Sequence, residues 1–246
     1  MRLQQNLLAR KADNYNQLNL YMKFCFPNIF SKQYWFPRRA VNGSSGSLYF
    51  NGSAKCTAFD SNYFQMGSGD FTIEWFQNMT VNQPNPPVFA IGSLMETMLG
   101  VSIGTDLHYW SNGVSQIISP ITIAGNWAHY AVCRSGSTVL FFENGIQIGS
   151  LTDSTDYNTD NSSLMIGGVT NLYFTGYITN FRVLKDVALY TADFTVPTEP
   201  LPNIAGTYLL LLAQDADKFL TDSSVYTRPV TTPTSSPVVW SSLSPF

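Results

Sequence analysis

The stretch NWAHYAVCRSGSTVLFFENG, residues 126–145, decides the fold. It ends Phe141-Phe142-Glu143-Asn144-Gly145 and runs into Ile146, and Asn-Gly between two apolar runs supplies the paired positive φ angles of a type I′ hairpin turn. Ser135-Gly136 turns the preceding pair, so residues 127–134, 138–143 and 146–151 read as successive antiparallel strands. In the first of them His129 alternates with Tyr130, a period of two that sends neighbours to opposite faces.

Outward from this stretch, β-branched and aromatic residues recur in short runs divided by Gly, Asn, Asp and Pro. Further strands are expected at residues 47–50, 71–81, 88–91, 98–103, 108–110, 117–123, 163–166, 176–183 and 207–213. So many short strands require two packed sheets. Asn112-Gly113 closes another hairpin, and Phe71, Ile73 and Trp75 alternate with Thr72, Glu74 and Phe76 along a strand expected to be half-buried. Val187 to Tyr190 are expected to form one helical turn. The fold class expected is all-β, a two-sheet antiparallel β-sandwich, preceded by an N-terminal arm that is partly helical and partly extended.

Composition supports a packed domain. Of 246 residues, 44% are apolar and only 12% are charged, against about 25% charged in an ordinary chain, so the surface is built from Ser, Thr, Asn, Gln and Gly. Cys25, Cys56 and Cys133 are odd in number and lack metal-site spacing, which excludes a disulfide framework. No signal-peptide pattern opens the chain and no long unbroken apolar run follows, so a soluble protein kept in a reducing compartment is expected, with no membrane span.

Charge divides the chain. Residues 1–45 carry seven basic residues against Asp13, a net +6, whereas residues 46–246 sum to −9. The domains expected are therefore a basic aromatic arm, 1–45, and a sandwich, 46–246. Basic arms can bind phosphates, but this one interleaves Leu7, Arg10, Tyr21, Phe24, Phe26, Phe30, Trp35, Phe36, Arg38 and Arg39. Aromatic and arginine anchors of that kind suit a protein interface, so docking to other proteins, or to further copies of itself, is favoured over nucleic acid.

Several blocks carry a family resemblance: SLYFNGS (47–53), GSGDFTIEWF (67–76), NWAHYAVCRSGSTVLFFENG (126–145), IGG (166–168), FTGYITNFRVLKDVALYTADFTVPTEPL (174–201), then TYLLLLAQD, FLTDSS and the ending VVWSSLSPF. Together they resemble the laminin G-like, concanavalin A-like jelly roll found in virion proteins of marine tailed phages and large algal DNA viruses. The resemblance covers about residues 46–246 and implies a minor capsid or decoration protein, assembled in the host cytoplasm and carried in the virion among other capsid proteins. The alternative it implies is a lectin-like host-attachment protein, of a tail fibre or capsid vertex, that binds cell-surface glycan. The arm has no counterpart in the resembled unit.

Concanavalin A-like hydrolases set two carboxylates roughly 5 to 9.5 Å apart, and the family pattern resembles E-x-D-x-E. Here Glu74 is followed by Phe76 and Asn78, so no catalytic residues and no enzyme activity are expected. His129 is expected to be structural, and Cys133 buried and inert. Asp153, Asp156, Asn158 and Asp160 resemble the start of a calcium loop but lack its glycine and its final glutamate, which leaves calcium as the one cofactor in play. Sugar binding needs an exposed aromatic face beside amides and carboxylates, and Tyr109, Trp110, Asn112, Tyr157, Asn171 and Tyr173 lie near expected loops.

Overall fold

A computed structural model describes residues 45–58, 64–81, 86–92, 97–104, 106–120, 125–158, 163–169 and 171–246. All ten arm residues named above lie outside the described residues, as do Asp160 and Cys25. The described residues hold β-strands and no helix: β1 (Ser47–Asn51), β2 (Cys56–Ala58), β3 (Phe71–Met79), β4 (Pro87–Gly92), β5 (Thr97–Ile103), β6 (Asp106–Ser111), β7 (Val114–Pro120), β8 (Ala128–Ser135) and β9 (Thr138–Glu143). There follow β10 (Ile146–Thr152), β11 (Leu164–Ile166), β12 (Gly168–Val169), β13 (Leu172–Tyr173), β14 (Thr175–Lys185), β15 (Thr207–Leu211), β16 (Val230–Thr231) and β17 (Val239–Ser241).

Two antiparallel sheets result. The first has the order β10-β9-β8-β3-β14-β1-β17 with β15 also on β14, and the second β16-β2-β11-β4-β5-β6-β7. Their facing sides share one core, in which Trp75 stacks on Tyr130 and Phe181 at ring separations of 5.7 and 6.2 Å. The three expected hairpins form. Asn112 and Gly113 take φ 48° and 76°, Asn144 and Gly145 take 51° and 78°, and Gly136 takes 61°. Gly145 is required twice over, because a Cβ there would lie 2.1 Å from the carbonyl oxygen of Phe194.

Two local expectations are corrected. All nine residues of β3 are buried, not half of them. A strap of residues 187–202 crosses the outer side of the first sheet, where Phe76, Leu201 and Leu210 form a second apolar cluster with Val196 and Phe246 packed on it. Residues 187–190 belong to this strap and form no helical turn. The Thr72 hydroxyl donates to the Val187 carbonyl and accepts from the Leu189 amide, both at 2.9 Å, so a strand side chain satisfies backbone groups that a helix would have paired internally.

Candidate functional site

Glu74 points away from the core, beneath the strap. One carboxylate oxygen accepts from Arg182 Nε at 2.8 Å and from its Nη2 at 2.5 Å. The other meets His129 Nε2 at 3.1 Å and accepts from the Tyr190 hydroxyl at 2.9 Å. Burial alone would raise this carboxyl, but the hydrogen bonds and charge of His129 and Arg182 outweigh it and hold the pKa below its ordinary value. The residues that follow on the same face, Phe76 and Asn78, carry no acid. Both oxygens are thus engaged, and the residue is fully buried.

Arg182 reaches Glu74 because β14 is bulged. Thr179 lies opposite Phe76 and Arg182 opposite Glu74, so β14 spends one residue more than β3 over that interval. Asn180 supplies the bend with φ 51°, a left-handed angle that asparagine tolerates. Its Oδ1 accepts from the Leu201 amide at 2.8 Å, which ties the bulge to the strap.

The expected glycan residues separate. Tyr109 and Tyr157 are fully buried and serve no surface role: Tyr109 donates to Asp153 at 3.0 Å, and the Tyr157 hydroxyl bonds both Asp153 and Tyr109. Their rings fill the space between the sheets, and a buried carboxylate satisfies their hydroxyls. Burial pushes the Tyr157 hydroxyl up to about 12. Burial would raise Asp153 too, but hydrogen bonds from Tyr157 and Thr155 hold it at about 2. Trp110 is half-buried and donates Nε1–H to Ser102 Oγ at 3.0 Å. Asn112 is exposed in the β6–β7 turn, Asn171 is exposed with φ 62°, and Tyr173 is half-buried in the β12–β13 hairpin. Trp110 and Asn112 thus stand two residues apart on the β6–β7 hairpin, and Tyr173 sits on a different one.

Of the calcium set, Asp153 is turned inward, whereas Asp156 and Asn158 are exposed. The Asp153 carboxylate is committed to the two tyrosines and the Thr155 amide. Among the described residues no three His, Cys, Asp or Glu side chains stand close enough to hold a metal ion. Cys56 and Cys133 are buried thiols, each pushed up to about 12 by burial.

The half of the first sheet's outer side beyond the strap carries a row of residues that sequence reasoning missed. Register pairs Val239 with Tyr49, Tyr49 with Tyr177, and Tyr177 with Asn78, while Gln77 opposite Ala128 brings Trp127 beside Asn78. Tyr49, Tyr177 and Trp127 are half-buried and Val239 is exposed. Ring centroids are 5.0 Å apart between Tyr49 and Tyr177 and 6.4 Å between Tyr177 and Trp127. The flanking row is Asn51, Thr175 and Thr80. These aromatics stand at outward positions of strands whose inward residues, such as Leu48, Phe50 and Ile178, are core. That outward aromatic alternation was the available signal.

The concanavalin A-like lectin/glucanases superfamily model matches residues 50–190. Among solved structures, a putative carbohydrate binding protein from Bacteroides ovatus superposes with a TM-score of 0.60 at 15% identity, covering 82% of this chain and 60% of that one. A heptameric SAP-like pentraxin from Limulus polyphemus gives 0.51 at 17% identity, covering 62% of this chain and 81% of that one. At such identities the likeness is one of fold. No curated protein matches the sequence. The family match takes in more than half of the chain and falls on the sandwich just described, so the chain belongs to the concanavalin A-like lectin/glucanases superfamily.

Proposed function

We propose that this chain is a nonenzymatic glycan-recognition module whose binding surface is the aromatic row on the outer side of the first sheet. One observation carries the reading: Tyr49, Tyr177 and Trp127 line up across the outer side of the first sheet, with Asn78 between the last two, beside a row of amide and hydroxyl side chains. Aromatic faces flanked by a few polar groups are what ring stacking and hydroxyl recognition need. The locking of Glu74 beneath the strap supports recognition without catalysis. A glycan array with the full chain tests this. Binding that Tyr177→Ala abolishes and Trp110→Ala leaves intact is expected, and silence across the array refutes it.

A second reading concerns setting, and the collinear blocks with the charge partition favour it. We infer that the module belongs to a virus particle, as a minor capsid or decoration protein, with the basic aromatic arm attaching it to coat neighbours. Deleting residues 1–40 should leave the sandwich folded and abolish incorporation into particles; normal incorporation of the truncated chain defeats the reading.

A further inference from the structure

We infer that Asn112 is a site of covalent self-modification, at which the amide nitrogen of Gly113 displaces ammonia from the Asn112 side chain and water then opens the resulting ring to aspartate or isoaspartate. The reaction is independent of what the first sheet binds.

The chemistry needs a side-chain carboxamide that nothing holds, a following amide nitrogen that nothing engages, and a main chain able to bring the two together. Glycine in the following place leaves the approach unobstructed. Three Asn-Gly pairs lie among the described residues, 51–52, 112–113 and 144–145, and the fold treats them differently; a fourth, Asn42-Gly43, lies outside them. At the first, Asn51 Oδ1 accepts from the Ser53 amide and hydroxyl at 3.0 and 2.8 Å, and its Nδ2 donates to Ser236 Oγ at 3.3 Å. The Gly52 amide there donates to the Phe174 carbonyl at 3.2 Å. At the third, Asn144 Oδ1 accepts from the His129 amide at 3.0 Å, and Gly145 is buried against the Phe194 carbonyl of the strap. At the second, both residues are exposed, and among the described residues neither the Asn112 carboxamide nor the Gly113 amide makes a hydrogen bond.

Freedom to move separates the pairs as well. Ring closure requires Asn112 to leave its left-handed turn, φ 48°, so the hairpin end must open. That end is the easiest of the three to open. Ser111 and Val114 close it, Val114 is 61% exposed, and β7 is an edge strand. Asn51 is paired to Thr175 within the first sheet, and Gly145 accepts from the Phe194 amide at 2.8 Å, so movement at Asn144 must lift the strap.

The Gly113 nitrogen bonds to Asn112 Cγ as the Cγ–Nδ2 bond breaks, and the glycine proton leaves with the ammonia. One water then adds across either C–N bond of the five-membered imide. Opening at Cγ leaves aspartate, which keeps an Asp-Gly type I′ turn and adds one negative charge. Opening at the main-chain carbonyl routes the backbone through the side-chain carboxyl, and the lengthened loop no longer fits a two-residue turn.

Incubation of the full chain at pH 9 in heavy-oxygen water, native and in denaturant, followed by peptide mapping, tests this. In the native chain residue 112 should convert at least tenfold faster than residues 51 and 144, take up heavy oxygen, and yield isoaspartate identified by fragmentation. In denaturant the three rates should fall within a few-fold of one another. Native conversion at residue 112 no faster than at 51 and 144, no isoaspartate at 112, or the same tenfold preference persisting in denaturant overturns the inference.

Discussion

Replacing Glu74 by alanine removes the acceptor of four hydrogen bonds, two from Arg182 and one each from His129 and Tyr190. Arg182 is 3% exposed and would keep only its bond to the Pro202 carbonyl, so its charge would lie buried and uncompensated. Breaking a buried pair in this way costs about 3–5 kcal/mol. A domain of this size loses about 2–4 °C of Tm per kcal/mol, so a fall on the order of 10 °C is expected. The loss should also be localised, since the Tyr190 bond that holds the strap goes with it. Urea unfolding measures the first effect, and limited proteolysis within residues 187–202 the second. The pH dependence has a definite sign. The folded carboxyl lies below its ordinary 4.5, so its contribution is complete above that value and fades as pH falls through the folded pKa. Glu74→Ala should therefore be less acid-sensitive than wild type over that range. A variant within about 1 kcal/mol of wild type, with the strap still protected, would refute the claim that this ion pair holds the strap.

Gly145→Ala should lose more than about 1 kcal/mol in urea unfolding, because it places a side chain at positive φ and drives a Cβ against the Phe194 carbonyl. Asp153 has a folded pKa of about 2 against an ordinary 3.8, so its stabilising contribution is whole above the latter and lost toward the former; Asp153→Asn should flatten acid unfolding monitored by near-UV circular dichroism in that window. Cys56 and Cys133, with thiols near 12, should resist a thiol reagent at pH 8 in the native protein and react once denaturant is added, as read by peptide mapping.

The parts of the fold that were legible were local. Asn144-Gly145 and Asn112-Gly113 state their turn chemistry within two residues, and strand extents follow from the runs between them. What covers a strand is not local. The alternation in β3 suggested one buried face, yet Thr72, Glu74 and Phe76 are buried by a strap more than a hundred residues later in the chain. Tyr109 and Tyr157 looked like loop aromatics because the carboxylate that satisfies Tyr109, Asp153, is 44 residues away from it. The aromatic row was hidden for a similar reason. Tyr49, Asn78, Trp127 and Tyr177 become neighbours only through strand register, which the sequence constrains by parity but does not align.

Asn180 makes both halves of that outer side compatible on one strand. Unbroken alternation from Tyr177 would turn Arg182 the same way as Ile178, into the core and away from Glu74. The extra residue at the bulge resets the parity, so Tyr177 and Arg182 both face outward, and Phe181 and Val183 take the inward positions. Because side chains alternate with a period of two, no partial version exists: closing the bulge must drive either the aromatic row or the ion pair into the apolar interior. Tyr177→Ala trims the platform and leaves Glu74 and Arg182 paired, whereas Glu74→Ala loosens the strap and leaves the row in place. A change at Asn180, whose side chain also holds the Leu201 amide, should displace the aromatic row and lower stability together.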